Sequence, residues 1–118
     1  MQESLTQLNA TGNESLTIST DKPVYKIGDI VNITINNTGT DPLTFPNSIL
    51  GLQIENSATH EKYSLLAAQV ITILDSGGSR MLKWNQMNSF GTQVEAGNYI
   101  AITSTGSTSA NTTFAVMK

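Results

Sequence analysis

A single histidine, His60, limits the chemistry this chain can perform. A histidine-based metal site or a Ser-His-Asp triad would have to be built around it. It lies in the polar run Ser57-Ala58-Thr59-His60-Glu61-Lys62-Tyr63, expected to be a loop in which the imidazole is solvated. The acids Asp21, Asp29, Asp41, Asp75 and Glu95 fall singly at turn signals, where an Asp side chain typically bonds nearby backbone amides. No Asp-x-Asp-x-Asp-Gly series is present to wrap calcium. Ser76-Gly77-Gly78-Ser79 lacks the lysine and following helix of a phosphate-binding loop and reads as a hairpin turn. There is no cysteine, which excludes disulfides, thiolate metal sites and cysteine nucleophiles. The expectation is a protein with no catalytic, cofactor or metal site.

The chemistry that residue spacing does favour is modification of asparagine. Asn-x-Ser/Thr acceptor sequences occur at Asn9, Asn13, Asn32, Asn36 and Asn111. With 11 Asn and 28 Ser plus Thr in 118 residues, chance alone supplies about two or three such sequences. Placement adds to the number. Asn32 and Asn36 share one face of a predicted strand, and Asn111 has opposite parity to the apolar Phe114 and Val116. Sugar at these positions is expected to leave the core intact. The alternative reading of the same residues is plain polarity on the exposed face of a strand.

Strands must position these side chains. In Asp21–Thr38, Val31, Ile33 and Ile35 alternate with Asn32, Thr34 and Asn36, the period of a half-buried strand. Pro23 and Gly28-Asp29 punctuate its entry, and Asn37-Thr38-Gly39 ends it. Further strands are predicted at Ser15–Thr20, Ile49–Asn56, Gln69–Leu74, Arg80–Asn85, Asn98–Ser104 and Thr112–Met117, with a short extra one around Lys62–Leu66. The Leu-Ala-Ala centre of Tyr63–Leu74 favours a helical turn, while its Val-Ile-Thr-Ile end favours strand. Leu16 and Ile18, Ile71 and Ile73, Tyr99 and Ala101, and Phe114 and Val116 share the alternation. Two packed sheets would bury these faces, with Ile33, Ile35, Trp84, Tyr99 and Phe114 at the centre of the core. The expected fold is all-β: an Ig-like β-sandwich of about seven to eight mostly antiparallel strands in two sheets.

Two segments carry a resemblance. Trp84-Asn85-Gln86, followed by Gly91-Thr92-Gln93-Val94 and Gly97-Asn98-Tyr99, resembles the Trp-[Asp/Asn]-x…Gly-x-x-Val-x-x-Gly-x-Tyr pattern of small Ig-like β-sandwiches. Those include BsuPI-type proteinase inhibitors and the Ig-like domain of flagellar hook-capping proteins. Upstream, Asp21–Ile35 resembles the opening strands of macroglobulin-like and CARDB-like extracellular modules. The resemblance implies the sandwich fold and, through the BsuPI proteins, an alternative function as a serine-protease inhibitor. In the residues themselves, Tyr99 is placed like a corner tyrosine, its ring in the core and its hydroxyl on local backbone. Gly91 and Gly97-Asn98 supply tight turns.

Composition bounds the partners. At 118 residues the chain fits one domain, with 38% hydrophobic and only 13% charged residues, against roughly 25% charged in soluble domains. A net charge of −3 and six scattered Lys and Arg argue against nucleic acid and anionic membranes, which require basic clusters. Residues 1–14 read as a polar, flexible leader before a domain over residues 15–118. A cytosolic protein and an ectodomain separated from its signal or membrane anchor both fit that leader. The surface chemistry favours the ectodomain, with membrane contact only through such an anchor. The leading expectation is a non-catalytic cell-surface module: S-layer-associated, or an accessory of a surface filament such as the archaeal motility apparatus. Its partner would be another surface protein or a second copy, met through a sheet edge, with Ser15–Thr20 and Thr112–Met117 as the expected edges.

Overall fold

The computed structural model describes residues 14–118, so the expected leader, apart from Glu14, and the acceptors Asn9 and Asn13 lie outside the described residues. Within that range the chain forms ten strands and no helix. They are β1 (Leu16–Thr20), β2 (Val24–Lys26), β3 (Val31–Asn37), β4 (Leu43–Phe45), β5 (Gln53–Asn56), β6 (Lys62–Tyr63), β7 (Thr72–Leu74), β8 (Ser79–Trp84), β9 (Gly97–Ser104) and β10 (Ser109–Met117). Three sheets result, ordered β1-β3-β8, β2-β10-β9-β5-β6 and β4-β7. Every pairing is antiparallel except β2 with β10.

Local sequence accounts for the frame. β3 buries Val31, Ile33, Ile35 and Asn37 and turns Asn32, Thr34 and Asn36 outward. Burying each of those aliphatic side chains stabilises the fold by about 1.5–3 kcal/mol relative to leaving it exposed. β1 and β2 are nearly continuous in sequence yet belong to different sheets. Pro23 stands between them, and having no N–H it cannot extend the β1 ladder. Its carbonyl instead accepts from the Ala115 N–H and starts the parallel pairing with β10.

The two larger sheets meet through aromatic rings. Trp84 of β8 lies 5.8 Å from Tyr63, 5.7 Å from Tyr99 and 6.2 Å from Phe114, all three on the five-stranded sheet. Tyr25 meets Phe114 edge-on at 5.8 Å. Tyr25, Trp84, Tyr99 and Phe114 join Ile18, Ile33, Ile35, Ile54, Ala101 and Val116 in a single buried cluster, with Tyr63 packed against it. The expected central residues Ile33, Ile35, Trp84, Tyr99 and Phe114 are all in it.

The structure corrects several expectations. There are ten strands in three sheets rather than seven or eight in two, because β2 and β4 are three-residue segments with too little periodicity to read; the extra strand expected around Lys62–Leu66 is present as β6. Ile49–Leu52 is a turn ahead of β5, with Leu50 and Gly51 at φ of 56° and 65°. Ile71 and Ile73 are 76% and 59% exposed, and Leu74 is buried in their place. The reason is register: β7 pairs only with β4, and Leu74 lies opposite the buried Leu43, which turns Ile73 outward. Residues 64–71 form neither helix nor strand. Finally, β10 is not an edge; it lies between β2 and β9.

Candidate functional site

The polar residues are distributed as braces, each tying a loop to the frame. Gln86 is fully buried with a φ of 62°. Its amide nitrogen donates to the carbonyls of Lys26 and Asp29, both at 2.9 Å. Its oxygen accepts from the Gln93 amide at 2.9 Å and the Gly28 N–H at 3.3 Å. One side chain therefore joins the β2–β3 turn to the loop after β8. Asn37 acts similarly, donating to the carbonyls of Asp41 and Leu74 and accepting from the Gly39 N–H. Asn56 accepts from Ala58 and Thr59 N–H groups, and Thr103 donates to the Leu50 carbonyl. None of these four was singled out from sequence. Asn37 and Thr103 occupy core-facing parities, which was the available signal; Gln86, in a loop, offered none.

Tyrosines complete the bracing. The Tyr99 hydroxyl donates to the Glu95 carbonyl four residues upstream, as its position before a core strand predicts. Burial pushes its pKa up. The Tyr25 hydroxyl donates to the Asp21 carboxylate and accepts from the Lys22 N–H. Burial also raises Tyr25, with the Asp21 bond adding to it. Asp21 is held below its usual range by the Tyr25 hydroxyl first and the Asn32 amide second. Tyr63, behind Trp84, is pushed up to about 12 by burial and by its bond to Glu61.

The other residues considered for chemistry stay apart. His60 is exposed at a φ of 64°, its Nδ1 2.9 Å from Glu55 Oε2. Asp29 accepts from the Lys26 N–H. In the Ser76–Ser79 turn, the amides of Gly77 and Gly78 already donate to the carbonyls of Asn37 and Asp75. That turn offers no cradle for phosphate.

The three described acceptor asparagines differ. Asn32 is held at both ends of its amide: Lys83 Nζ donates to Oδ1 at 2.9 Å, and Nδ2 donates to Asp21 at 3.1 Å. Asn36 is half-buried between Thr17 of β1 and Ser79 of β8 on the same outward face. Asn111 is exposed, on the face of the five-stranded sheet directed away from Phe114.

Two kinds of surface remain. The β8–β9 connection is a braced loop: Asn88 accepts through Oδ1 from the Phe90 and Thr92 N–H groups, and its own N–H donates to the Thr92 carbonyl. That loop presents Phe90 at 89% exposure, and a shallow groove beside it is lined by Ile30, Leu66 and Met87. The second kind is the sheet ends, at β1 and β8 of one large sheet and β2 and β6 of the other.

No known family's pattern matches the sequence, and no curated protein matches it. Solved structures are similar in fold. A β-glucosidase from Erythrobacter marinus aligns with a TM-score of 0.51 at 14% identity, over 88% of this chain and 16% of that one. The alkylpurine DNA glycosylase of Pseudomonas fluorescens, bound to DNA containing an abasic-site analogue, aligns with a TM-score of 0.51 at 13% identity. That match covers 89% of this chain and 30% of the glycosylase. The chain thus spans less than a third of either protein, and at these identities the likeness is one of fold alone.

Proposed function

We propose that this chain is an Ig-like β-sandwich that serves, without catalysis, as a protein-binding or structural module at a cell surface. The strand order supports the sandwich: β1-β3-β8 against β2-β10-β9-β5-β6 parallels the two sheets of the variable-type immunoglobulin domain. So does the local bond of Tyr99, a tyrosine corner at the start of β9. Ala101, two residues on, stands where antibody domains place a disulfide cysteine. Apolar packing there takes over the role of the cross-link.

The observation that carries the functional reading is the use of the polar side chains. Gln86, Asn37, Asn56, Asp21 and Tyr99 all spend hydrogen bonds on the protein's own strands and loops. On β1 and β3 the outward face is a neutral Thr/Ser/Asn surface, and the sheets end in strands with unpaired edges. Such surfaces suit association along strands. Repeated weak contacts of that kind gain strength in a lattice or filament. The Asn-x-Ser/Thr sequences on exposed faces fit an exported chain, tethered through an anchor or by binding to a surface layer.

A second reading, proteinase inhibition of BsuPI type, has one observation in its favour: the braced loop that presents Phe90. Both readings are tested together. Immobilised protein is offered solubilised surface-layer and filament proteins from its own source, in parallel with stoichiometric inhibition assays on serine proteases. Saturable capture of a surface component supports the module. Stoichiometric inhibition lost in Phe90→Ala, with no such capture, overturns it in favour of the inhibitor.

A further inference from the structure

Three of the four ends of the two larger sheets are poorly suited to receiving another strand. β1 packs against β10, and its Leu16 and Ile18 are buried. β2 is entered through Pro23, which has no N–H, and β6 is only two residues long. β8 differs. It runs for six residues, Ser79–Trp84, in unbroken register with β3, and it has no second neighbour in its sheet.

The direction of its main-chain groups follows from bonds on both sides of β3. The Asn37 N–H donates to the Gly78 carbonyl just before β8, and the Asp21 N–H donates to the Asn32 carbonyl on the β1 side. Bonded positions alternate along an antiparallel ladder, so Val31, Ile33 and Ile35 bond toward β8 and meet Trp84, Leu82 and Arg80 there. The N–H and C=O groups of Met81 and Lys83 therefore point away from β3. Among the described residues no hydrogen bond engages them. The side chains of both are exposed too, Met81 at 57%.

The groove beside the Phe90 loop reaches this edge. It encloses about 710 Å³, and Lys83 and Trp84 of β8 line it together with Ile30, Leu65, Leu66 and Met87. Leu66 is fully exposed and Ile30 nearly half so, which leaves bare apolar surface next to unpaired backbone. Lys83 is the only charged residue of the lining, and Arg80 is the only other charge on β8. Unbonded strand groups are satisfied by another strand's backbone, a bare apolar lining by apolar side chains, and two cations by carboxylates. A second copy of β8 fits poorly, because it would bring two more cations to the same ribbon.

We propose that the Met81–Lys83 edge of β8, with the groove beside it, receives an extended segment of a partner protein in which apolar and acidic side chains alternate. The segment adds a fourth strand to the β1-β3-β8 sheet and exchanges main-chain bonds with Met81 and Lys83. Its apolar residues turn into the groove, and a carboxylate lies beside the Lys83 ammonium. Lys83 spends one of its three donors on Asn32 Oδ1, which leaves two for that carboxylate. The proposal rests on the reading of the chain as a non-catalytic protein-binding module and names the edge and the chemistry of its partner.

Titration of the 118-residue chain with a capped peptide, Thr-Val-Glu-Ile-Glu-Val-Thr, tests it by calorimetry and by amide hydrogen exchange. Saturable binding is expected, with exchange slowed at the Met81 and Lys83 N–H groups. The same peptide with Lys in place of both Glu should bind about tenfold more weakly, and Lys83→Glu should reverse that preference. Met81→Pro deletes an N–H that points away from β3, so it should weaken binding about tenfold or more, with the domain still folded by circular dichroism. Binding of neither peptide, equal binding of both, or indifference to Met81→Pro would each overturn the proposal. So would a concentration-dependent dimer that Met81→Pro abolishes, since it would assign the edge to a second copy. A chain that binds neither peptide yet captures a surface protein would sink this edge while leaving the module reading intact.

Discussion

Replacing Trp84 with alanine interrogates the joint between the two sheets. The side chain is buried, its ring touches Tyr63, Tyr99 and Phe114 at 5.7–6.2 Å, and its indole N–H donates to the Met87 carbonyl at 3.2 Å. Truncation removes the buried ring and leaves a cavity bounded by rigid rings and strands, which places the cost at about 3–5 kcal/mol. Aromatic pairing adds about 0.5–1.5 kcal/mol per contact beyond area, so the upper end of that range applies. Domains of this size are stable by about 5–15 kcal/mol. A loss of about 3 kcal/mol lowers the midpoint of a small domain by roughly 12 °C or more. Trp84 is the only tryptophan, so its fluorescence vanishes in the variant and unfolding must be followed by far-ultraviolet circular dichroism. Trp84→Phe keeps a ring and should recover about half of the loss. A midpoint within two degrees or so of the parent in Trp84→Ala would refute the packing argument and make Trp84 a surface aromatic.

Gln86→Met should cost about 1–3 kcal/mol in urea unfolding, because it takes the side-chain donor from the Asp29 carbonyl, one of two donors from the Lys26 carbonyl, and an acceptor from the Gln93 amide; an unchanged midpoint would mean water replaces the amide. Asp21 has its folded pKa lowered, so its contribution is complete above the unfolded pKa and is lost as pH falls through the folded one. Asp21→Asn should flatten the acid limb of the stability profile, and an unaltered limb would contradict the Tyr25 and Asn32 bonds as its cause. Tyr63, raised to about 12, contributes stability that is present below the ordinary tyrosine pKa and lost as pH climbs toward the folded value. Its ionisation, followed by tyrosinate absorbance, should fall at higher pH than that of free tyrosine, and Tyr63→Phe should remove one of the three shifted steps, leaving those of Tyr25 and Tyr99. In material from the native source, peptide mapping should find sugar at Asn36 and Asn111 and none at Asn32, whose amide is tied to Asp21 and Lys83; a glycan at Asn32 would contradict that assignment.

Alternation along the chain was enough to determine the all-β class and the inward parity of Ile33, Ile35, Tyr99 and Phe114. A strand of period two that buries one face declares that face in its own residues. The turn before Tyr99 was legible for a similar reason, since its hydroxyl reaches backbone only four residues away. Whatever depended on which strands became neighbours was not legible. Ile71 and Ile73 are as apolar as any core pair, yet the pairing of β7 with β4 leaves them outside. β10 reads as a terminal strand and became an interior one when β2 crossed to its free side. Gln86 looks like any loop glutamine until folding brings the β2–β3 turn, nearly 60 residues earlier in the chain, against it. Local periodicity is a property of adjacent residues, whereas register, edges and buried polar braces come from contacts between distant ones. Only the folded chain decides those.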